Sequence, residues 1–188
     1  MTSATAAVRK ANAADASAIA HVYVQSWRAT YPGVLPARVL QDMNEVRETL
    51  AWWESLCRAK ANETTFVAQD SFVGQDSQGP VVGFASAGPE RGGSVARRAE
   101  LYTLYLLETH HRRGLGAALV AACAAQLSDS GADSMVVWVL AQNRARGFYK
   151  ALGGTRHGNK TVLVGGKPVR EVSYLWRDLE SLAALARR

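Results

Sequence analysis

The chain has 188 residues, of which 48% are hydrophobic and 20% charged, with a formal net charge of +6. That length suits one compact domain over residues 1–188, and the apolar share supplies a core and excludes global disorder. No apolar run approaches the roughly 20 residues of a membrane-spanning helix, and residues 1–7 lack a basic stretch followed by an apolar block, so neither a membrane span nor a signal peptide is expected. Residues 1–7 read as a flexible tail and the expected location is the cytoplasm.

Residues 6–10 read as a first strand. Asp15 then caps a helix running from Ala16 to about Trp27, with Ile19, Val22, Tyr23 and Ser26 or Trp27 at helical spacing. Tyr31, Pro32 and Gly33 stop it. A second helix is predicted over 46–58. Residues 64–72 and 81–87 are rich in β-formers, and 74–80 between them reads as a hairpin loop. A loop at 90–94 precedes residues 100–107, which are nearly all apolar and suit a strand buried on both faces. A helix follows over 114–128, with Leu115, Leu119, Cys123 and Leu127 as its buried stripe and Gly131 as its stop. Residues 135–140 are a second doubly buried strand. Residues 143–152 form a short helix stopped by Gly153 and Gly154. A last hairpin pairs 161–164 with 171–176 around 165–168, and Asp178 opens a helix over 179–186.

Cys57 and Cys123 fall in no motif and read as reduced thiols packed as small apolar groups. His21, His110, His111 and His157 have no ligand spacing and read as surface or turn residues, so no metal is expected. Arginines recur at 97, 98, 112, 113, 144, 146 and 156. Such a chain can bind nucleic acid, can carry a solvated surface, or can rim a site for one polyanionic small molecule. The clustering beside a glycine turn favours the last.

That turn is His111-Arg112-Arg113-Gly114-Leu115-Gly116, set between a strand and a helix. The first amides of a helix have no internal partners and the dipole is positive there, so the turn is an anion-binding device. Gly114 and Gly116 leave room for a phosphate, and Arg112 and Arg113 add charge. The Gly-Lys-Ser/Thr ending of a nucleotide-triphosphate loop is missing. A dinucleotide fingerprint fails as well, because no acid for a ribose lies about 20 residues on.

The turn resembles the pyrophosphate-binding signature of the GNAT superfamily of N-acetyltransferases, Gln/Arg-x-x-Gly-x-Gly/Ala, with His111 where that pattern prefers Gln or Arg. Its neighbourhood extends the resemblance. Leu104-Tyr105-Leu106 stand where the family's strand pairs with the pantetheine arm of acetyl-CoA. Asn143, Phe148, Tyr149 and Gly153 follow the next strand, with Asn143 and Tyr149 six residues apart where many members have seven. The resemblance covers roughly residues 8–176 and is motif-specific over 100–154. It implies an α/β (α+β) GNAT fold: a mixed, strongly twisted sheet of about six to seven strands flanked by helices.

What it implies for function is acetyl transfer from acetyl-CoA directly to a primary amine, with no metal. The expected cofactor-binding residues are Leu104, Tyr105, Leu106, His111, Arg112, Arg113, Gly114, Leu115, Gly116 and Asn143. Tyr149 is the expected general acid for the departing thiolate. A backbone N–H near Leu106 serves an oxyanion by the same analogy. Glu100 is the candidate base. Strand alternation places it on one face with Tyr102, Leu104 and Leu106; the competing reading is a strand-end Glu paired with Arg97 or Arg98. Trp27 and Tyr31, with the loop 165–168, are expected to wall the acceptor. The acceptor is a small-molecule or peptide amine, a homodimer is compatible with the family, and membrane or nucleic-acid partners are not expected. A silent acetyl-CoA-binding module is the alternative from another class.

Overall fold

The computed structural model describes residues 7–70, 79–93 and 95–187. The expected tail up to residue 6, the end of the strand predicted over 64–72, most of the hairpin loop 74–80 and Ser94 lie outside the described residues. Seven strands form one sheet in the order β1-β2-β3-β4-β5-β7-β6, with β1 Ala7–Lys10, β2 Thr64–Gln69, β3 Val81–Pro89, β4 Arg98–Leu106, β5 Ser134–Leu140, β6 Thr155–Val164 and β7 Lys167–Trp176. Neighbours are antiparallel except β4 and β5, which run parallel. The mixed α+β sheet is the one expected.

Helices cover both faces. On one side α4, Leu115–Asp129, buries Leu119, Val120, Cys123 and Leu127 against Leu101, Val137 and Tyr174, and α6, Leu179–Ala183, packs beside it. On the other side α1, Ala16–Thr30, and α3, Glu45–Cys57, enclose Val67 and Phe84 with Ile19, Val22 and Trp52. A short helix, α2 at Ala37–Gln41, has no apolar periodicity to announce it, and sequence reasoning missed it.

Several boundaries moved for local reasons. Asp15 does not cap α1. It ends a 3-10 turn, Ala13–Asp15, that Asn12 caps; its carboxylate instead accepts two bonds from Arg9 (2.7 and 2.8 Å) and one from the Asn12 amide. α3 starts at Glu45 because the Asn44 side chain accepts from the amides of Val46 and Arg47. β6 begins at Thr155, not Thr161, since its first half is exposed and polar and shows no strand alternation. Its turn to β7 is Gly165–Gly166, both at positive φ (57° and 79°), which suits a two-residue hairpin. The final helix gives way to a 3-10 turn at Ala184. Cys123 is buried as expected, but Cys57 is exposed at the end of α3.

Candidate active site

β4 and β5 pair only from Arg98↔Ser134 to Leu101↔Val137. Beyond that point β4 continues to Leu106 and β5 to Leu140, each still paired on its outer side, but not to each other. The two strands therefore open into a V. Strand residues alternate their backbone groups between neighbours, so part of the β4 backbone past Leu101 faces the gap. Leu104, Tyr105 and Leu106 lie on this open segment and line a cleft of about 1840 Å³, beyond the ~300–1,000 Å³ of an ordinary small-molecule pocket. The Leu106 carbonyl accepts from Ser26 Oγ of α1 (3.2 Å) and from His111 Nε2 (3.1 Å). Ser26, a polar residue on the buried stripe of α1, was a signal the sequence carried.

The glycine turn closes the same cleft. Arg112 and Gly114 both hold positive φ, 64° and 80°, so the chain enters α4 through left-handed positions that turn successive amides inward. Gly114 is the N-cap and offers no side chain; the next amides, of Leu115, Gly116 and Ala117, are those a helix leaves unpaired. Gly116 has a second reason to be glycine: a Cβ there would sit 3.2 Å from the Phe148 ring. Arg112 and Arg144 line the cleft, and Arg113 is exposed in the turn. Other arginines of the cluster serve the fold. Arg146 donates to the Ala141 carbonyl (2.7 Å), and Arg97 pairs with Asp133 (3.5 Å). An open strand edge, a nest of free amides and a cationic rim fit the pantetheine and pyrophosphate of a coenzyme A thioester.

Tyr149 stands on α5, Arg146–Ala151, with its ring packed on Tyr174 and Trp176. It lines the cleft, and its hydroxyl has no hydrogen bond among the described residues. Burial pushes the phenol well up, so it keeps its proton. Asn143 caps the turn before α5 by accepting from the Ala145 amide (2.8 Å), and its side-chain amide donates to the Tyr31 hydroxyl (3.4 Å). Tyr31 and Trp27 stack at 5.1 Å with an edge-on geometry. Both pack with Leu35, Leu140 and Val169, so they are helix-end packing and cleft wall at once.

The structure changes the reading of Glu100 in two ways. A register shift at Ser86/Ala87 leaves Tyr102 as an extra residue in β4. As a result Leu101 shares a core with Leu104 and Leu106, while Glu100 lies on the opposite face, the α1 side, together with Tyr102 and Tyr105. Its partner is neither Arg97 nor Arg98. Arg98 pairs with Glu90 (2.8 Å), whereas Glu100, buried at 3% exposure, accepts from the Arg91 amide (3.0 Å) and Nε (3.2 Å). Arg91 sits in a connecting loop, and nothing in its surroundings in the sequence marked it. The loop 165–168 meets α2 instead of the cleft: any side chain at Gly165 would run into Val39, and the Gly165 carbonyl accepts from Arg38.

A family model described as FR47-like protein matches residues 95–164, the stretch holding the V, the turn and α5. A relative named uncharacterized N-acetyltransferase YuaI, from Bacillus subtilis (strain 168), is 38% identical over 181 residues, covering 96% of this chain and 98% of its own. Among solved structures, yncA of Salmonella typhimurium, crystallised with its cofactor acetyl-CoA, superposes with a TM-score of 0.68 at 20% identity, over 92% of this chain and 93% of that one. An N-acetyltransferase from Staphylococcus aureus Mu50 gives 0.68 at 21% identity, over 93% and 99%. These two likenesses are of fold.

Proposed function

The chain belongs to the GNAT superfamily of N-acetyltransferases, and from that premise we propose that it moves an acetyl group from acetyl-CoA to a primary amine held on the α1 side of the V. The observation that carries this reading is the parting of β4 and β5 beyond Leu101/Val137, directly beside the glycine turn. Acetyl-CoA supplies the activated acyl group. The open backbone of Leu104–Leu106 would hold the pantetheine; the turn 111–116 and Arg144 would hold the phosphates. His111, whose Nε2 donates to the Leu106 carbonyl, would have to release or share it when the arm binds.

An alkyl amine has a pKa near ~10, so it must shed a proton before it can attack. Glu100 is the proposed proton acceptor through water, since it sits at the apex of the V on the acceptor side. The Arg91 amide bonds one oxygen and its guanidinium the other, so the proton would arrive on a lone pair that these bonds leave free. Tyr149, uncharged and facing the cleft from the other side, would protonate the departing sulfur.

The test is release of free thiol from acetyl-CoA across an amine panel, with Glu100→Gln beside the parent. Turnover with at least one amine, reduced roughly 100-fold by Glu100→Gln, is expected. No release with any amine and no thermal stabilisation by acetyl-CoA would falsify the acetyltransferase reading. A full rate for Glu100→Gln would move the base elsewhere.

A further inference from the structure

The acceptor side of the cleft carries more charge than the proposed base, Glu100, accounts for. Six lining residues compose it: Arg91, Glu100, Tyr102, Trp138, Lys160 and Glu171. Each of two cations lies over an aromatic ring and above an acid. The Arg91 guanidinium is 4.4 Å from the Tyr102 ring centre and paired to Glu100. The Lys160 ammonium is 4.0 Å from the Trp138 ring centre and 3.5 Å from Glu171. The two pairs flank the open V, one at the β4 edge and one on β7 and β6.

Depth separates the two signs. The cationic side chains are 65% and 45% exposed, whereas Glu100 and Glu171 are 4% and 20% exposed. The wall is therefore positive on the outside and negative beneath. A polyamine or another multiply charged cation would meet Arg91 and Lys160 first and be repelled. An anionic group would be drawn in.

The hydrogen-bond inventory points the same way. An arginine has five N–H donors. Arg91 spends its Nε and Nη2 edge on Glu100, and among the described residues nothing takes Nη1. The outer Nη1/Nη2 edge is left as a second fork, the geometry that fits a carboxylate by two parallel bonds. Stacking on Tyr102 and the grip of Glu100 hold that edge in place. Glu171 is less committed, with one loose contact to Lys160; the Arg91 pKa is raised mainly by its bond to Glu100, and the Glu171 charge adds to that. Glu171 stands opposite Leu140, where the V is open.

We propose that the acceptor is an amino carboxylate, its carboxylate on the outer edge of Arg91 and its amine drawn toward Glu171 at the mouth of the V. This rests on the acetyl-transfer reading for its chemistry, though not for the binding itself. Lys160 is a positioning residue that holds the Glu171 carboxylate in place and keeps the outer wall positive.

The experiment compares thiol release for amino acids of α- and ω-amine type, their carboxamides, the matching decarboxylated amines, and spermidine. The carboxylates are expected to exceed their carboxamides by roughly tenfold or more in kcat/KM, the scale of one charge-assisted contact, with spermidine slowest. Arg91→Lys keeps the charge and loses the fork, so the carboxylate-to-carboxamide ratio should fall toward one. Lys160→Met, on the exposed edge strand, should lower the same ratio while melting like the parent. Calorimetry with N-acetylated amino acids and their amides, in the presence of CoA, reads binding without turnover. Thiol release with no carboxylate preference, or a preference untouched by both variants, overturns the assignment and leaves acetyl transfer standing. Carboxylate-dependent binding with no thiol release from any amine supports the assignment and sinks acetyl transfer.

Discussion

Tyr149 has a ring that belongs to the core and a hydroxyl that belongs to the cleft. The ring touches Tyr174 and Trp176, and the hydroxyl is bonded to nothing among the described residues. These two halves separate cleanly in a Phe variant. Tyr149→Phe keeps the packing and removes no hydrogen bond, so its melting temperature should match the parent. If the phenol protonates the thiolate, kcat should drop roughly 100-fold with little change in the KM for acetyl-CoA, as steady-state kinetics would read. An unchanged kcat would take Tyr149 out of the chemistry. Glu100 teaches the opposite lesson. Its position and acidity were legible in the sequence, but its face was not, because one extra residue at Tyr102 reverses the alternation before it reaches Leu104. Its partner was hidden as well, since nine positions and a loop separate Arg91 from it. Cys123 is pushed up to about 12 by full burial, which removes it as a nucleophile at neutral pH.

Elements were legible to the extent that they bury a patterned face. α4 was predicted nearly to its ends from Leu115, Leu119, Cys123 and Leu127, all of which are buried. The first half of β6 was missed because Arg156, His157, Asn159 and Lys160 are exposed on the sheet edge and show no apolar period. The link between β1 and α1 holds a further element-scale feature, the Arg9–Asp15 pair. Arg9 bonds hold the Asp15 carboxyl below its ordinary 3.8, against the opposing effect of burial. A carboxyl with a lower pKa folded than unfolded stabilises fully above the unfolded value and loses that contribution as pH falls through the folded one. Asp15→Asn should cost about 1.5–3 kcal/mol at neutral pH, measured by urea unfolding. The gap between variant and parent should stay constant down to about pH 5 and then close as acid is added. A gap that persists at the acid end would mean that Arg9 is not its source.

For the whole molecule, the V could not be read from either strand alone. Residues 100–107 and 135–140 both look like ordinary buried strands, and only their register shows that pairing stops at Leu101/Val137. The resemblance of the glycine turn to an acetyl-CoA site pointed to a strand that pairs with a pantetheine arm, but not to the shape of the gap. The open segment predicts a pattern of amide hydrogen exchange. Within β4, amides directed at β3 should exchange slowly, and those past Leu101 directed at the gap should exchange fast, alternating along the strand. Acetyl-CoA should slow the second set selectively. Uniform protection of β4 without ligand would contradict the open V.

The parting of β4 and β5 has one more consequence. A sheet whose centre stops short of closing has a seam through its middle, with β1 to β4 on one side of it and β5 to β7 on the other. A ligand lying in that seam would act as a missing strand, stitching the two halves into a continuous fabric. Occupancy would then register as mechanical stiffness across the whole domain, felt as far away as β1 and β6. Protease resistance measured with and without acetyl-CoA would read that stiffness.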